Sequence, residues 1–486
     1  MNKRVVVHNV GRITLIASML FLMPLIVSLI YRDGCAFTFL IPAVLMSSVG
    51  ALCTAFRPAD MTSYAKEGFV TVTLMWLIFS LFGAIPFLLS HSIPRFIDAF
   101  FETVSGFTTT GSTILRDIES LPPSILFWRS LTHWVGGMGV LALAIALLPN
   151  DSSGNPDNSA VHILRAETPG PTFGKLVAKL RYNVRILYGI YTALTLLEIL
   201  FLAVGGMPLF DSVINAFGTA GTGGFAIRNA SIGAYDSLYV EMVIAVFMLL
   251  FGVNFNIYYF ILTGKFLKIL KSEELRWYLG IVAFSTFAIT WNILPLYGNA
   301  ARSLRASFFQ VAAIITTTGF GTADFDLWPT FSKVLLVLLM FIGACSSSTA
   351  GGLKISRVLI LVKSTLREIR SQIHPREVRM IRCDGTTVDR AVAHGVAYYF
   401  ALYILILLFS SVLISFNGMD FTSTVTSVIT CLNNIGPGLG KVGPSGNFAD
   451  LSVLSKLVLI FDMLAGRLEI YPLIITLSPA VWRRRA

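Results

Sequence analysis

The chain is 486 residues long, 55% apolar and only 13% charged, with a mean hydropathy of +0.75. That balance excludes a soluble protein of several domains and points to an integral membrane protein. A net charge of +11 would suit a nucleic-acid partner, but the basic residues gather in alternate loops. With the N-terminus cytoplasmic, Lys3, Arg4, Arg57, Lys66, the 165–185 and 265–276 clusters, the 357–390 stretch and the terminal arginines 483–485 share one side. The positive-inside rule accounts for this bias and leaves no nucleic-acid partner to explain.

In chain order, about ten apolar runs are long enough to cross a bilayer core of roughly 30 Å as helices. They lie near residues 11–31, 35–56, 68–90, 123–149, 186–206, 236–263, 278–297, 330–362, 391–416 and 450–480. The first is followed by no small-residue cleavage site, so it reads as a retained helix rather than a signal peptide. Residues 1–67 form an N-terminal helix pair. Four units follow, at 68–150, 151–270, 271–388 and 389–486, each with the order long run, short run, polar turn, long run. Such self-similarity at about a hundred residues is an internal repeat.

The short runs, 97–109, 210–220, 304–317 and 421–433, cannot span a membrane, yet stand between segments that can. Half-helices that enter and turn back fit that length, and non-helical backbone at this depth is tolerated only inside protein or along a wet path. Each short run ends near a glycine, Gly111, Gly224, Gly319 and Gly436, with a bulky apolar residue eleven positions earlier at Phe100, Val213, Phe308 and Val425. In the second turn Gly223 competes with Gly224; the spacing from Val213 and the following Phe225 favour Gly224. A ring of backbone carbonyls can replace the water shell of a monovalent cation, and glycine permits the backbone angles this needs. Helix C-termini aimed at the same point favour a cation.

These motifs carry a family resemblance. Thr-Thr-Thr-Gly at 108–111, Gly-Gly-Phe at 223–225, Thr-Gly-Phe at 318–320 and Asn-Asn-Ile-Gly-Pro-Gly at 433–438 resemble the Trk/Ktr/HKT superfamily of potassium transporters. So do Trp134-Val135-Gly136-Gly137-Met138-Gly139, Arg165-Ala166-Glu167-Thr168-Pro169-Gly170-Pro171 and Gly466-Arg467-Leu468-Glu469. The likeness is greatest to the bacterial Trk membrane subunits and covers essentially the whole chain. It implies an all-α polytopic fold of four helix–pore-loop–helix repeats around one pore. It further implies a homodimer in the bacterial inner membrane and a cytosolic nucleotide-binding regulatory subunit. By the same resemblance the potassium filter comprises Thr109, Thr110, Gly111, Gly223, Gly224, Thr317, Thr318, Gly319, Asn434, Ile435 and Gly436. The chain itself carries no cofactor, and K+ is the transported ion. Glycine at all four filter positions favours potassium; a sodium-permeable or sodium-coupled member is the alternative.

Two further features stand inside the apolar runs. Gly343-Ala344-Cys345-Ser346-Ser347-Ser348-Thr349-Ala350-Gly351-Gly352 is too rich in small and hydroxyl residues for a continuous helix. The family has an intramembrane gating loop at this place, which assigns Gly343, Ser346, Ser347, Ser348, Thr349, Gly351 and Gly352 to a gate; close helix packing on small residues is the other reading. Arg467 costs roughly 2.5–3.5 kcal/mol near a bilayer centre, so it should face a wet cavity or a partner. Resemblance places it at the constriction, and an ion pair with Asp462 or Glu469 is the alternative.

The remaining candidates are weak. Asp98 and Asp211, each thirteen residues before its glycine, read as half-helix caps rather than ion ligands. Lys354 lacks the strand and glycine spacing of a phosphate loop. The six histidines, and Cys35, Cys53, Cys345, Cys383 and Cys431, have neither metal-site nor disulfide spacing. The sparse ionisable groups within spans, Glu102, Glu198, Asp462, Arg467 and Glu469, form no acid–base pair, so the chain is not read as an enzyme. The 150–185 and 363–390 links could dock a soluble partner or be solvated connectors.

Overall fold

The structure is a computed structural model that describes residues 1–56, 65–139, 180–266, 269, 271–376 and 380–482. Most of the 150–185 link, with its Arg165-to-Pro171 motif, and the end of the 123–149 run lie outside the described residues. Most of the described residues are helical. Among the described residues, six helices are long and apolar enough to cross a membrane: Lys3–Tyr31, which includes one 3₁₀ turn, Ala36–Ala55, Ala65–Leu89, Val184–Val204, Glu273–Tyr297 and Arg390–Ser415. The chain is a multi-pass membrane protein. The first helices pack on the Pro123–Gly137 helix, where Phe21 stacks on Trp128 at 4.6 Å between ring centroids and Asp33 Oδ2 accepts the Ser124 N–H at 3.0 Å.

Three expected runs are not single spans. The 236–263 run is two helices, Leu238–Phe251 and Phe255–Leu262, bent by 89°. The 330–362 run is split into Thr330–Ile342 and Ile355–Ile373, and the 450–480 run ends one helix at Arg467 and starts another at Tyr471. The first two breaks interlock. Cys345 N–H donates to Gly252 O at 3.1 Å, Phe255 N–H donates to Ser347 O at 3.1 Å, and Thr349 Oγ1 donates to Phe251 O at 3.3 Å. Backbone freed from helix at membrane depth must find partners, and each break supplies the other's.

Four short helices stand out: α1 (Phe96–Phe107), α2 (Leu209–Gly221), α3 (Ala300–Ile315) and α4 (Phe421–Leu432). Their starts are marked by local chemistry. Asn299 Oδ1 accepts the Ala301 N–H at 2.8 Å ahead of α3, and Asp420 Oδ2 accepts the Ser423 N–H at 3.0 Å ahead of α4. Pro208 precedes α2, where its missing N–H costs nothing. Asp98 and Asp211 do not cap. Each sits at the third position of its helix, and its side chain is taken by a neighbour: Asp98 by Lys456 Nζ at 2.6 Å, Asp211 by the Tyr235 hydroxyl at 2.8 Å. A lysine as buried as Lys456 needs a counter-charge more than a helix terminus does.

Candidate functional site

All four short helices end in the same turn. The N–H groups of Thr110, Gly223, Thr318 and Ile435 each donate five residues back, to Ser105, Gly218, Ala313 and Thr430, at 2.9–3.0 Å. Thr109, Thr222, Thr317 and Asn434 each donate three residues back, to Gly106, Thr219, Ile314 and Cys431. This pair of bonds is the Schellman motif, which requires a left-handed residue just past the helix end. Those residues have φ of 56°, 53°, 56° and 54°. Glycine usually fills that place; here three threonines and an asparagine do, at roughly 1–2 kcal/mol each. Strain repeated four times in register belongs to a built site.

Two residues on, the backbone turns left-handed again at Gly111, Gly224, Gly319 and Gly436, with φ of 80°, 73°, 77° and 97°. Gly224, rather than Gly223, therefore matches the other three. The position a Cβ would occupy on each glycine is already filled by a carbonyl of the next turn. At Gly111 it is Gly223 O, at Gly224 Thr318 O, at Gly319 Ile435 O, and at Gly436 Thr110 O. The sequence closes on itself, so the four turns form one ring in which each glycine abuts the residue before the next glycine. Thr109, Thr110, Thr222, Thr317, Thr318 and Asn434 are all buried in it. Thr108 and Thr110 hydroxyls meet at 2.8 Å, as do those of Thr316 and Thr318, and Asn434 Nδ2 donates to Thr110 Oγ1 at 2.9 Å. The helices around the ring approach closely because they carry glycine: Gly136 faces Phe107 O, Gly221 faces His133 O and Gly466 faces Leu432 O, each with no room for a side chain.

The loop between Ile342 and Ile355 lies directly against this ring. Gly343, Ser347 and Gly352 have positive φ, so residues 343–352 are not a packed helix. Gly351 N–H donates to Thr317 Oγ1 at 2.7 Å, and a Cβ on Gly351 would strike Asn433 O. Ser348 Oγ turns back to Cys345 O at 2.6 Å. Glu274 holds the other side, with Oε1 accepting the Ser346 N–H at 2.6 Å and Oε2 the Ser346 hydroxyl at 3.0 Å. Arg467 reaches the loop from the end of the Val453–Arg467 helix. Its guanidinium donates to Thr349 O at 2.9 Å, Gly137 O at 2.6 Å and Gly136 O at 2.5 Å. The expected alternative partners are engaged elsewhere: Glu469 meets Arg357, and Asp462 Oδ1 accepts the Ser410 hydroxyl at 2.7 Å.

Two kinds of buried charge went unremarked in the sequence: Glu274, which opens an apolar helix, and Arg129, which sits within an apolar run. Lys354, set aside there as a phosphate-loop lysine, turns its Nζ to Ala350 O. Their signal was an ionisable residue in an apolar context, which by itself names no partner.

The family model for TrkH, described as a cation transport protein, matches residues 37–296 and 296–484. The Trk system potassium uptake protein TrkH of Salmonella typhimurium is 36% identical over 491 residues, covering 99% of this chain and all of that one. TrkG of Escherichia coli K12, also named a Trk system potassium uptake protein, is 34% identical over 99% of both chains. The crystal structure of the potassium transporter TrkH from Vibrio parahaemolyticus superposes with a TM-score of 0.89 at 33% identity, covering 99% of this chain and 100% of that one. These relatives are named as transport proteins rather than enzymes, and the chain belongs to the TrkH family of cation transport proteins.

Proposed function

We propose that this protein takes up potassium across the bacterial inner membrane through a filter built from the four turns. The observation that carries this reading is the closed ring in which Gly111, Gly224, Gly319 and Gly436 each abut the carbonyl that precedes the next glycine. Peptide oxygens so placed replace water around a bare alkali ion without a fixed counter-charge. The four units, 68–150, 151–270, 271–388 and 389–486, then surround one pore, with the 1–67 pair outside it and the N-terminus cytoplasmic. The loop at 343–352, whose Gly351 N–H meets Thr317 Oγ1, and Arg467, which places a cation beside the ion's path and so raises the barrier to potassium, are the gate. A cytosolic nucleotide-binding subunit acts on that gate, and the protein works as a homodimer.

Rubidium and sodium uptake in a strain lacking its own potassium uptake tests the filter. The parent takes up rubidium in preference to sodium, and Gly111→Ser, which places a side chain against Gly223 O, loses about tenfold of that preference. Sodium uptake equal to rubidium in the parent supports a sodium-permeable member instead. Unchanged selectivity in Gly111→Ser counts against the filter.

A further inference from the structure

Behind the first two turns lies a fully buried ion pair. Arg129 Nε meets Glu102 Oε1 at 2.7 Å, and the two side chains are 2% and 0% exposed. Such a pair is weak evidence for stability, because apolar residues of similar volume often serve as well or better. Its other contacts indicate what it does. Glu102 accepts the Thr113 hydroxyl at 3.0 and 3.1 Å and the Ile114 N–H at 2.9 Å, which fixes the chain just after Gly111. Arg129 Nη1 donates to Ala226 O at 3.0 Å, and its guanidinium carbon lies 3.6 Å from the Phe225 ring centroid, which fixes the chain just after Gly224. One helical turn on, His133 stacks on the same ring at 4.0 Å and takes the Phe225 N–H on Nδ1 at 3.4 Å. Thr113 O accepts the Phe448 N–H at 2.9 Å, which extends the connection to the segment after Gly436. The second and third turns are joined differently, by neutral bonds from Gly233 N–H to Gly321 O at 3.1 Å and from Gly321 N–H to Ser231 Oγ at 3.2 Å.

We propose that Glu102 and Arg129 are positioning residues that set the first and second turns against each other and thereby set ion discrimination. The inference rests on the filter reading and goes beyond it by naming what holds the ring to size. The two residues touch no ion. A carbonyl ring selects by the spacing and number of its oxygens, so a small shift of turn two against turn one changes selectivity before it stops transport. The planar guanidinium fork is essential, since an ammonium cannot serve Glu102, Ala226 O and the Phe225 ring at once.

The test is rubidium uptake by the full chain in membranes with its cytosolic partner, with sodium as competitor and rates normalised to folded protein. Arg129→Lys keeps the charge and loses the fork; a loss of about tenfold in rubidium-over-sodium apparent affinity, with a smaller change in maximal rate, is expected. Thr113→Val leaves the ion pair intact, removes one tether, and moves the same ratio in the same direction by less. The double exchange Glu102→Arg with Arg129→Glu keeps opposite charges but reverses donors and acceptors, so the ratio stays low. Parent-like selectivity in Thr113→Val and Arg129→Lys, or its full recovery in the exchange, overturns the proposal and leaves the pair as a structural contact. A parent without discrimination overturns the filter reading itself, an outcome distinct from a selective parent with unchanged variants.

Discussion

The four turns after the short helices and the loop between Ile342 and Ile355 are both non-helical backbone between apolar helices, yet they satisfy that backbone in opposite ways. Each turn is closed by its own Schellman bonds, so its conformation is fixed locally and recurs four times. The loop borrows its partners: Glu274 from one helix, Thr317 from the third turn, Gly252 O from a second break, and Arg467 from the end of the Val453–Arg467 helix. A segment held by itself keeps its shape when its neighbours move, whereas one held by neighbours changes when any of them lets go. On the filter and gate proposed above, ion selection uses the first property and gating the second.

The ring is where a single substitution does most harm. Gly224→Ala drives a methyl group onto Thr318 O at a left-handed position, a strain of about 3 kcal/mol or more. Potassium uptake normalised to folded protein in membranes should fall about a hundredfold or be lost, and parent-like uptake would show that the turns do not abut as described. The borrowed contacts should respond in the other direction. Arg467→Ala removes the donors to Thr349, Gly136 and Gly137 and a cation from the path, so flux without the cytosolic partner should rise severalfold in proteoliposomes. A fall in flux by that assay would make Arg467 a structural brace. The smallest effect is expected at Glu274→Gln, where a neutral oxygen still accepts from Ser346 but holds it more weakly by about 1 kcal/mol. Partner-independent flux should rise by a few-fold at most, and an unchanged rate would mean that the loop does not move at Ser346.

Much of this was legible in the residues, for reasons that differ by element. The short runs and the positions of Gly111, Gly319 and Gly436 were visible because half-helix length and glycine placement are local properties. The choice of Gly224 over Gly223 is expressed in φ, where Gly224 joins the other three. Left-handed Thr109, Thr222 and Thr317 were not legible, since threonine's own preference opposes the conformation that the Schellman bonds require. The 89° bend was missed because Gly252-Val253-Asn254 barely interrupts an apolar run, and the groups that stabilise the break come from residues 345–349. Asp98 was misplaced as a cap for the same reason: its partner, Lys456, is 358 residues away. The same limit applies to Glu102 and Arg129, each visible as a charge in an apolar setting but silent about the other.

The central claim is that peptide oxygens from four turns meet around one ion, and anomalous diffraction from crystals grown in rubidium or thallium tests it most directly. The account predicts a peak enclosed by the carbonyls of Thr110, Gly223, Thr318 and Ile435, weakened when sodium replaces the heavy ion. A map with no peak among those four carbonyls, or with the ion bound by side chains elsewhere, would contradict it.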